Sequence, residues 1–281
     1  LKPGQIILVL LAAGIGFVLY MMPISPIAKQ PEAAVETAVE QPYDLLEDIT
    51  SVKNEMDSAT LAYLNGLESK IREASSEQKT VYLDSIIGFF DMMRQPTGAA
   101  YHSLEKAKAS NSATHWTEAG ERFLLNAKYM GSPAQKKAWF TEARSCFEKA
   151  VELAPNDLEI KVDLGVCLIE GASFMGTPPM EGIGILKSVE QTDPNNIKAL
   201  INLGYFAIKS GQFDKAEERF RKVLTIDPNY AEAYLYLADL HEKQKQFDKA
   251  IEDLEKYKSS VTDPQRLSEV NNYIEELKKN L

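Results

Sequence analysis

The side chains with the most chemistry to offer are three histidines, His102, His115 and His241, and two cysteines, Cys146 and Cys167. Histidine ligates metals and moves protons near neutral pH, and a cysteine thiolate is a nucleophile. Either task needs partners at set spacing. The histidines stand far apart with no HExxH pair, and the cysteines form no CxxC. All five read as packing or surface residues, the cysteines as small buried hydrophobes. "GIGILK", Gly182 to Lys187, has glycines but lacks the spacing and the preceding strand of a phosphate loop. It reads as an inter-helix turn in an inserted loop. The acidic runs read as solvated faces. No catalytic residue, cofactor site, metal site or small-molecule substrate is indicated, so the chain is not expected to be an enzyme. A formal net charge of -10 sets it against nucleic acid, whose phosphates an acidic surface repels.

The elements that position these side chains are helical. A hydrophobic content of 44% is enough for a packed core, and from Tyr43 onward no strand-like alternation of any length occurs. Ahead of that, "QIILVLLAAGIGFVLYMM", Gln5 to Met22, carries no charge. As a helix it spans roughly 27 Å, close to the hydrocarbon thickness of a bilayer. Residues 1–22 are therefore expected to be a transmembrane anchor. "PISPIAK" follows, with prolines where signal cleavage needs small residues, so the anchor is expected to stay uncleaved. Lys2 precedes the segment and the following stretch is acidic. That balance favours a body outside the cytoplasm, in a bacterium the periplasm, with the inner membrane as the location. Pro23, Pro26, Pro31 and Pro42 mark 23–42 as an extended acidic linker. Residues 43–80 form a helical lead-in of one long helix or two, with a helix start at Ser75-Ser76-Glu77.

The last part of the chain repeats. "VELAPNDLEIKVDLG", "VEQTDPNNIKALINLG" and "LTIDPNYAEAYLYLA" each place a proline between two helix formers, at Pro155, Pro194 and Pro228. The second spacing, 228 less 194, is 34 residues, and the first, 194 less 155, is 39. The unit from 197 carries Leu200, Leu203-Gly204, Ala216, Phe220, Val223 and Pro228, and the unit from 231 carries Tyr234, Leu237-Ala238, Ala250, Leu254 and Tyr257. The pattern resembles the tetratricopeptide repeat, a helix-turn-helix of about 34 residues. Partial units fit at 158–196, with an insertion of about five residues, and from Ala113, with an insertion of about eleven. A degenerate unit follows Val81, with Ile87-Gly88, Ala100, Leu104 and Ala107.

The resemblance implies an all-α fold: a right-handed superhelical solenoid over 81–266 of about five units, preceded by the transmembrane helix and closed by a capping helix at 267–281. It implies that Gly204 faces Ala216 across their hairpin. It also implies a concave groove lined by the first helix of each unit. In this chain the groove positions are Glu159, Val162, Asp163, Val166, Ile169 and Glu170, then Lys198, Ile201, Asn202, Tyr205, Ile208 and Lys209, then Glu232, Leu235, Tyr236, Asp239, Glu242 and Lys243. Of the carboxylate clamp found in chaperone-binding members only Lys198 and Asn202 have counterparts, while Glu232 and Tyr236 stand at the next matching places. That clamp is not expected. The layout resembles bacterial inner-membrane repeat proteins associated with the Sec translocon. The implied role is a membrane-anchored scaffold or adaptor that binds a protein partner within an envelope complex. The alternative is a holdase-like periplasmic chaperone for emerging polypeptides.

Overall fold

The computed structural model describes residues 43–281. The expected anchor, 1–22, and linker, 23–42, lie outside the described residues. Among the described residues every regular element is an α-helix, and none is long and apolar enough to cross a membrane.

The lead-in is two helices, α1 (Leu45–Asn54) and α2 (Ser58–Glu73). Asp57 separates them: its carboxylate accepts from the Ala59 and Thr60 amides and caps α2. Next comes α3 (Ser76–Met92), opened by a reciprocal cap between Ser75 and Gln78 at the expected start. It is followed by α4 (Pro96–Ser110), α5 (Ala113–Ala127), α6 (Pro133–Leu153), α7 (Leu158–Glu170) and the single turn α8 (Ala172–Met175). The chain continues through α9 (Met180–Thr192), α10 (Ile197–Lys209), α11 (Phe213–Ile226), α12 (Ala231–Lys243), α13 (Phe247–Lys258) and α14 (Pro264–Lys278). The helices pair as hairpins: α3 with α4, α5 with α6, α7 with α9, α10 with α11, and α12 with α13.

The recurring proline works with its neighbours. Proline stops the preceding helix, and Asp193 and Asp227 each receive the amide two residues on, from Asn195 at 3.0 Å and Asn229 at 2.9 Å. The same aspartates' carbonyls close the turn by accepting from Asn196 and Tyr230. Asn196 then caps α10 through the Ala199 amide at 2.7 Å. One short sequence thus ends a helix, reverses the chain and starts the next helix.

Within each hairpin a small residue receives a large one. A methyl on Gly204 would stand 2.5 Å from the Phe220 ring, and one on Gly120 would stand 2.8 Å from the Phe147 ring. What lies nearest Gly204 is therefore the Phe220 ring, one helical turn beyond Ala216, which is fully buried in the same cluster. The α7/α9 hairpin differs. A methyl on Gly182 would stand 2.3 Å from the Gly165 carbonyl oxygen, so two backbones meet directly. The degenerate unit is a true hairpin, α3/α4, but its expected register is wrong. Gly88 is exposed with nothing within 4 Å of its missing Cβ, while a methyl on Gly98 would stand 2.2 Å from Phe90. Here the large residue sits on the first helix and the small one on the second.

Both insertions become structure. The earlier one is absorbed where α6 runs for 21 residues. The later one forms α8, turns at Gly176 with φ +70°, and leads into α9. Residues 182–187 are consequently helical, not a turn, because the inserted chain reverses before them. Cores run from hairpin to hairpin; Val162, Leu186, Val189, Ala199 and Leu203 join α7, α9 and α10. The last hairpin is closed by α14, which packs Val270, Ile274 and Leu277 against Ala250, Leu254 and Tyr257. The outer face of α14 is polar, as the end of a repeat array requires. At the other end of the described chain, Tyr43 packs beside Trp139 and donates to Asp48 at 2.6 Å. Cys146 and Cys167 are free and fully buried, matching their reading as small hydrophobes.

Candidate functional site

The first helices of successive hairpins, α5, α7, α10 and α12, contact one another directly and form a continuous row. All of the expected groove positions lie on the last three. At the N-terminal ends of α7 and α10 the row is polar and cross-linked. The Lys198 ammonium lies 2.7 Å from Asp163 and 3.8 Å from Glu159. The Asn196 amide donates to Glu159 at 2.7 Å. Burial raises the Asp163 carboxyl above its usual range, against the pull of Lys198. Asn202 donates to its own helix at the Lys198 carbonyl, 2.8 Å away.

The middle of the row is aromatic. Tyr205 on α10 and Tyr236 on α12 stand with ring centroids 5.8 Å apart. Tyr236 also stacks on Phe220 of α11 at 5.3 Å, and the Lys209 ammonium lies 5.2 Å from the Tyr205 centroid. Both tyrosines are half-buried, and burial raises the Tyr236 hydroxyl pKa. Glu232 is exposed, Asp239 pairs with Lys243 at 2.8 Å, and Tyr273 of α14 donates to Glu242. Burial raises Glu170 at the end of α7, while Lys128 and then Lys209 draw it down.

Three expected groove residues are corrected. Val162 is fully buried, Ile201 is 8% exposed and Ile208 is 5% exposed. Each is held in core between helices, so none presents a surface to a partner. Val166 and Leu235 are partly covered at the edges of their clusters. The remaining positions, Glu159, Asp163, Lys198, Asn202, Tyr205, Lys209, Glu232, Tyr236 and Asp239, with Ile169, Glu170, Glu242 and Lys243, are exposed or half-buried on the row. The support of Tyr236 by Phe220 is a feature that spacing alone missed. Its signal is the aromatic at the small-to-large contact of the preceding hairpin.

Of the histidines, His102 is buried with its Nδ1–H donating to the Gly98 carbonyl at 2.8 Å. His241 is buried against Asp253 at 2.8 Å, and His115 meets the Ser110 hydroxyl at 2.6 Å. His102 and His241 are thus packed within the core, and His115 is half-buried.

Tetratricopeptide repeat models match residues 207–267 and 134–157. No curated protein matches the chain. Among solved structures, that of PilW, a widely conserved type IV pilus biogenesis factor, is 18% identical with a TM-score of 0.51, covering 72% of this chain and 90% of that one. YrrB, a repeat protein with an unusual peptide-binding site, is 18% identical with a TM-score of 0.42, covering 73% and 97%. MamA of Desulfovibrio magneticus RS-1 is 18% identical with a TM-score of 0.45, covering 64% and 94%. The described chain is an all-helical repeat solenoid that carries tetratricopeptide repeats.

Proposed function

We propose that the solenoid is a protein-binding scaffold that seats a segment of a partner protein along the α7, α10 and α12 row. The observation that carries this reading is the Tyr205–Tyr236 pair at 5.8 Å, half-buried and bridging two repeats. Tyrosine gives large contact area at low entropy cost with a polar tip, which makes it a frequent interface anchor. Charges at either end of the row, Glu159 and Asp163 on one side and Glu232 and Asp239 on the other, favour a partner with basic flanks. The uncharged run Gln5–Met22 supports tethering to the inner membrane, with the solenoid in the periplasm as an accessory subunit of an envelope complex.

The test is recovery of the partner from detergent-solubilised membranes. Tyr236 stacks on Phe220, so alanine there also weakens the fold. The informative variant is Tyr205→Ala with Tyr236→Phe, which removes one ring and one hydroxyl and spares the stack. Loss of a true anchor costs about 2 kcal/mol, roughly a thirtyfold weaker complex. Undiminished recovery with an intact circular dichroism spectrum places the contact elsewhere and sinks the proposal. Retention of many unfolded clients with equal affinity, and of no single complex, replaces the scaffold with a holdase.

A further inference from the structure

A second candidate surface adjoins the tyrosine row and shares Lys209 with it. A cavity of about 400 Å³ opens between the α7/α9 and α10/α11 hairpins. Its wall comes from α9, the C-terminal half of α10 and the N-terminal half of α11, with Ile169 from α7. Ile169, Ile183, Leu203 and Phe206 make it apolar. Met180 is 65% exposed at its edge. Pro179 and Met180 belong to the inserted segment, which the 34-residue pattern does not need.

The rim is basic. Lys187, Lys209, Lys215 and Arg219 line the cavity, and no carboxylate does. In a chain with 41 acids against 31 lysines and arginines, that is a local reversal of sign. Arg219 is neutralised by Glu190, at 3.0 and 3.1 Å. Lys215 reaches only the uncharged Gln212, at 2.7 Å, and Lys209 lies over the Tyr205 ring. Glu170 is near enough to Lys209 for each to feel the other, but it does not line the cavity. Among the described residues Lys187 has no ion partner. Three lysines thus surround an apolar recess with no carboxylate lining it.

We propose that this cavity is a second docking site, for an acidic segment of a protein partner that inserts one large apolar side chain. The recess takes the apolar group, and Lys187, Lys209 and Lys215 take flanking carboxylates. Charge complementarity selects this occupant: a basic segment meets three lysines, and a neutral one leaves their charge unused. The site shares Lys209 with the tyrosine row, but Lys187 and Lys215 stand on α9 and α11, outside that row, so either reading can fail alone.

The experiment uses the chain with methyl-¹³C methionine and follows the Met180 signal, assigned with Met180→Leu. The probe is the peptide Glu-Asp-Leu-Phe-Asp-Glu. Controls are Lys-Lys-Leu-Phe-Lys-Lys and Glu-Asp-Ser-Gly-Asp-Glu. The expected result is a saturable shift with the first peptide alone, weakened as salt rises from about 0.05 to 0.5 M. Lys187→Glu with Lys215→Glu, both exposed positions, should weaken it at least tenfold with an unchanged circular dichroism spectrum. Glu232→Lys, in the tyrosine groove, should leave it within twofold. An equal response to the basic peptide, or no saturable shift up to about 5 mM probe, overturns the proposal. So does full binding by the lysine variant. A Met180 shift with dodecanoate but not with the acidic peptide also overturns it, assigning the recess to a small amphiphile.

Discussion

The hairpins α7/α9 and α10/α11 are consecutive copies of one plan, yet they are held together differently. In α10/α11 the aromatic ring of Phe220 lies over Gly204, so the contact is ring on backbone. In α7/α9 the matching large residue is the smaller Leu186, and Gly182 lies against the Gly165 carbonyl, so the contact is backbone on backbone. A ring can turn or slide by a few tenths of an ångström, whereas a helix backbone moves only as a unit. The same repeat position therefore tolerates different changes in neighbouring copies. The insertion goes with this difference, since it delivers α9 by a separate turn, α8 and Gly176, rather than by the tight loop at Gly211.

Gly182→Ala breaks the comparison most severely. It should destabilise the chain by ~3 kcal/mol, the upper end of the usual range for overpacking, because a backbone carbonyl blocks the methyl. Gly204→Ala should cost less, ~1–2 kcal/mol, and adding Phe220→Leu should return part of the loss by making room. Urea denaturation of the three variants measures both. Equal costs at the two glycines would erase the distinction between ring and backbone contact.

A smaller effect of opposite sign comes from the turns. The loop after α10 uses Gly211 at φ +72°, and the loop after α12 uses Lys245 at φ +59°. A side chain in this left-handed region costs about 1 kcal/mol, so Lys245→Gly should raise the free energy of unfolding by about that much, read as a higher urea midpoint. No gain would mean that Lys245 is held by something other than its backbone.

The smallest expected effect is one of pH. Burial raises Asp163 and Glu170 on α7, so their protonation favours the folded state. Their stabilisation is complete below the ordinary carboxylate range and is lost as pH rises through the raised values. Glu217 on α11 is lowered, first by its hydrogen bond to Arg221. Its stabilisation is present above the ordinary glutamate value and fades as pH falls. Acidification from neutrality to about pH 4 should therefore protect α7 relative to α11 in hydrogen exchange corrected for intrinsic rates. Asp163→Asn should shrink the difference. A parallel change in both hairpins would contradict it.

What could be read in advance was whatever chemistry is local. Proline at 155, 194 and 228, the flanking Asp and Asn, and the cap at Ser75 act within a few residues, and each turn or start is where the spacing puts it. Contacts across a hairpin were less legible. "IIG" at 86–88 imitates the Leu-Gly of a regular unit, but Phe90 and Gly98 make the close contact instead. Val162 and Ile201 fall at groove positions of the pattern, yet neighbouring helices cover them, and that depends on how far one hairpin tilts on the next. The basic recess was illegible for a similar reason. Its lysines come from three helices, and only the inserted turn sets where α9 begins.

A buried cysteine gives the molecule a chemical gauge of its own opening. Cys146 on α6 and Cys167 on α7 share one core cluster, and burial pushes both thiols up to about 12. At neutral pH only ~1 in 10⁵ of such a thiol is thiolate, and the closed core admits no reagent. Cys167 lies against the Phe140 carbonyl of α6, so its alkylation must wait for the α6–α7 boundary to part. Because that boundary joins two successive hairpins, the alkylation rate of Cys167 reports the share of time for which one repeat has let go of the next.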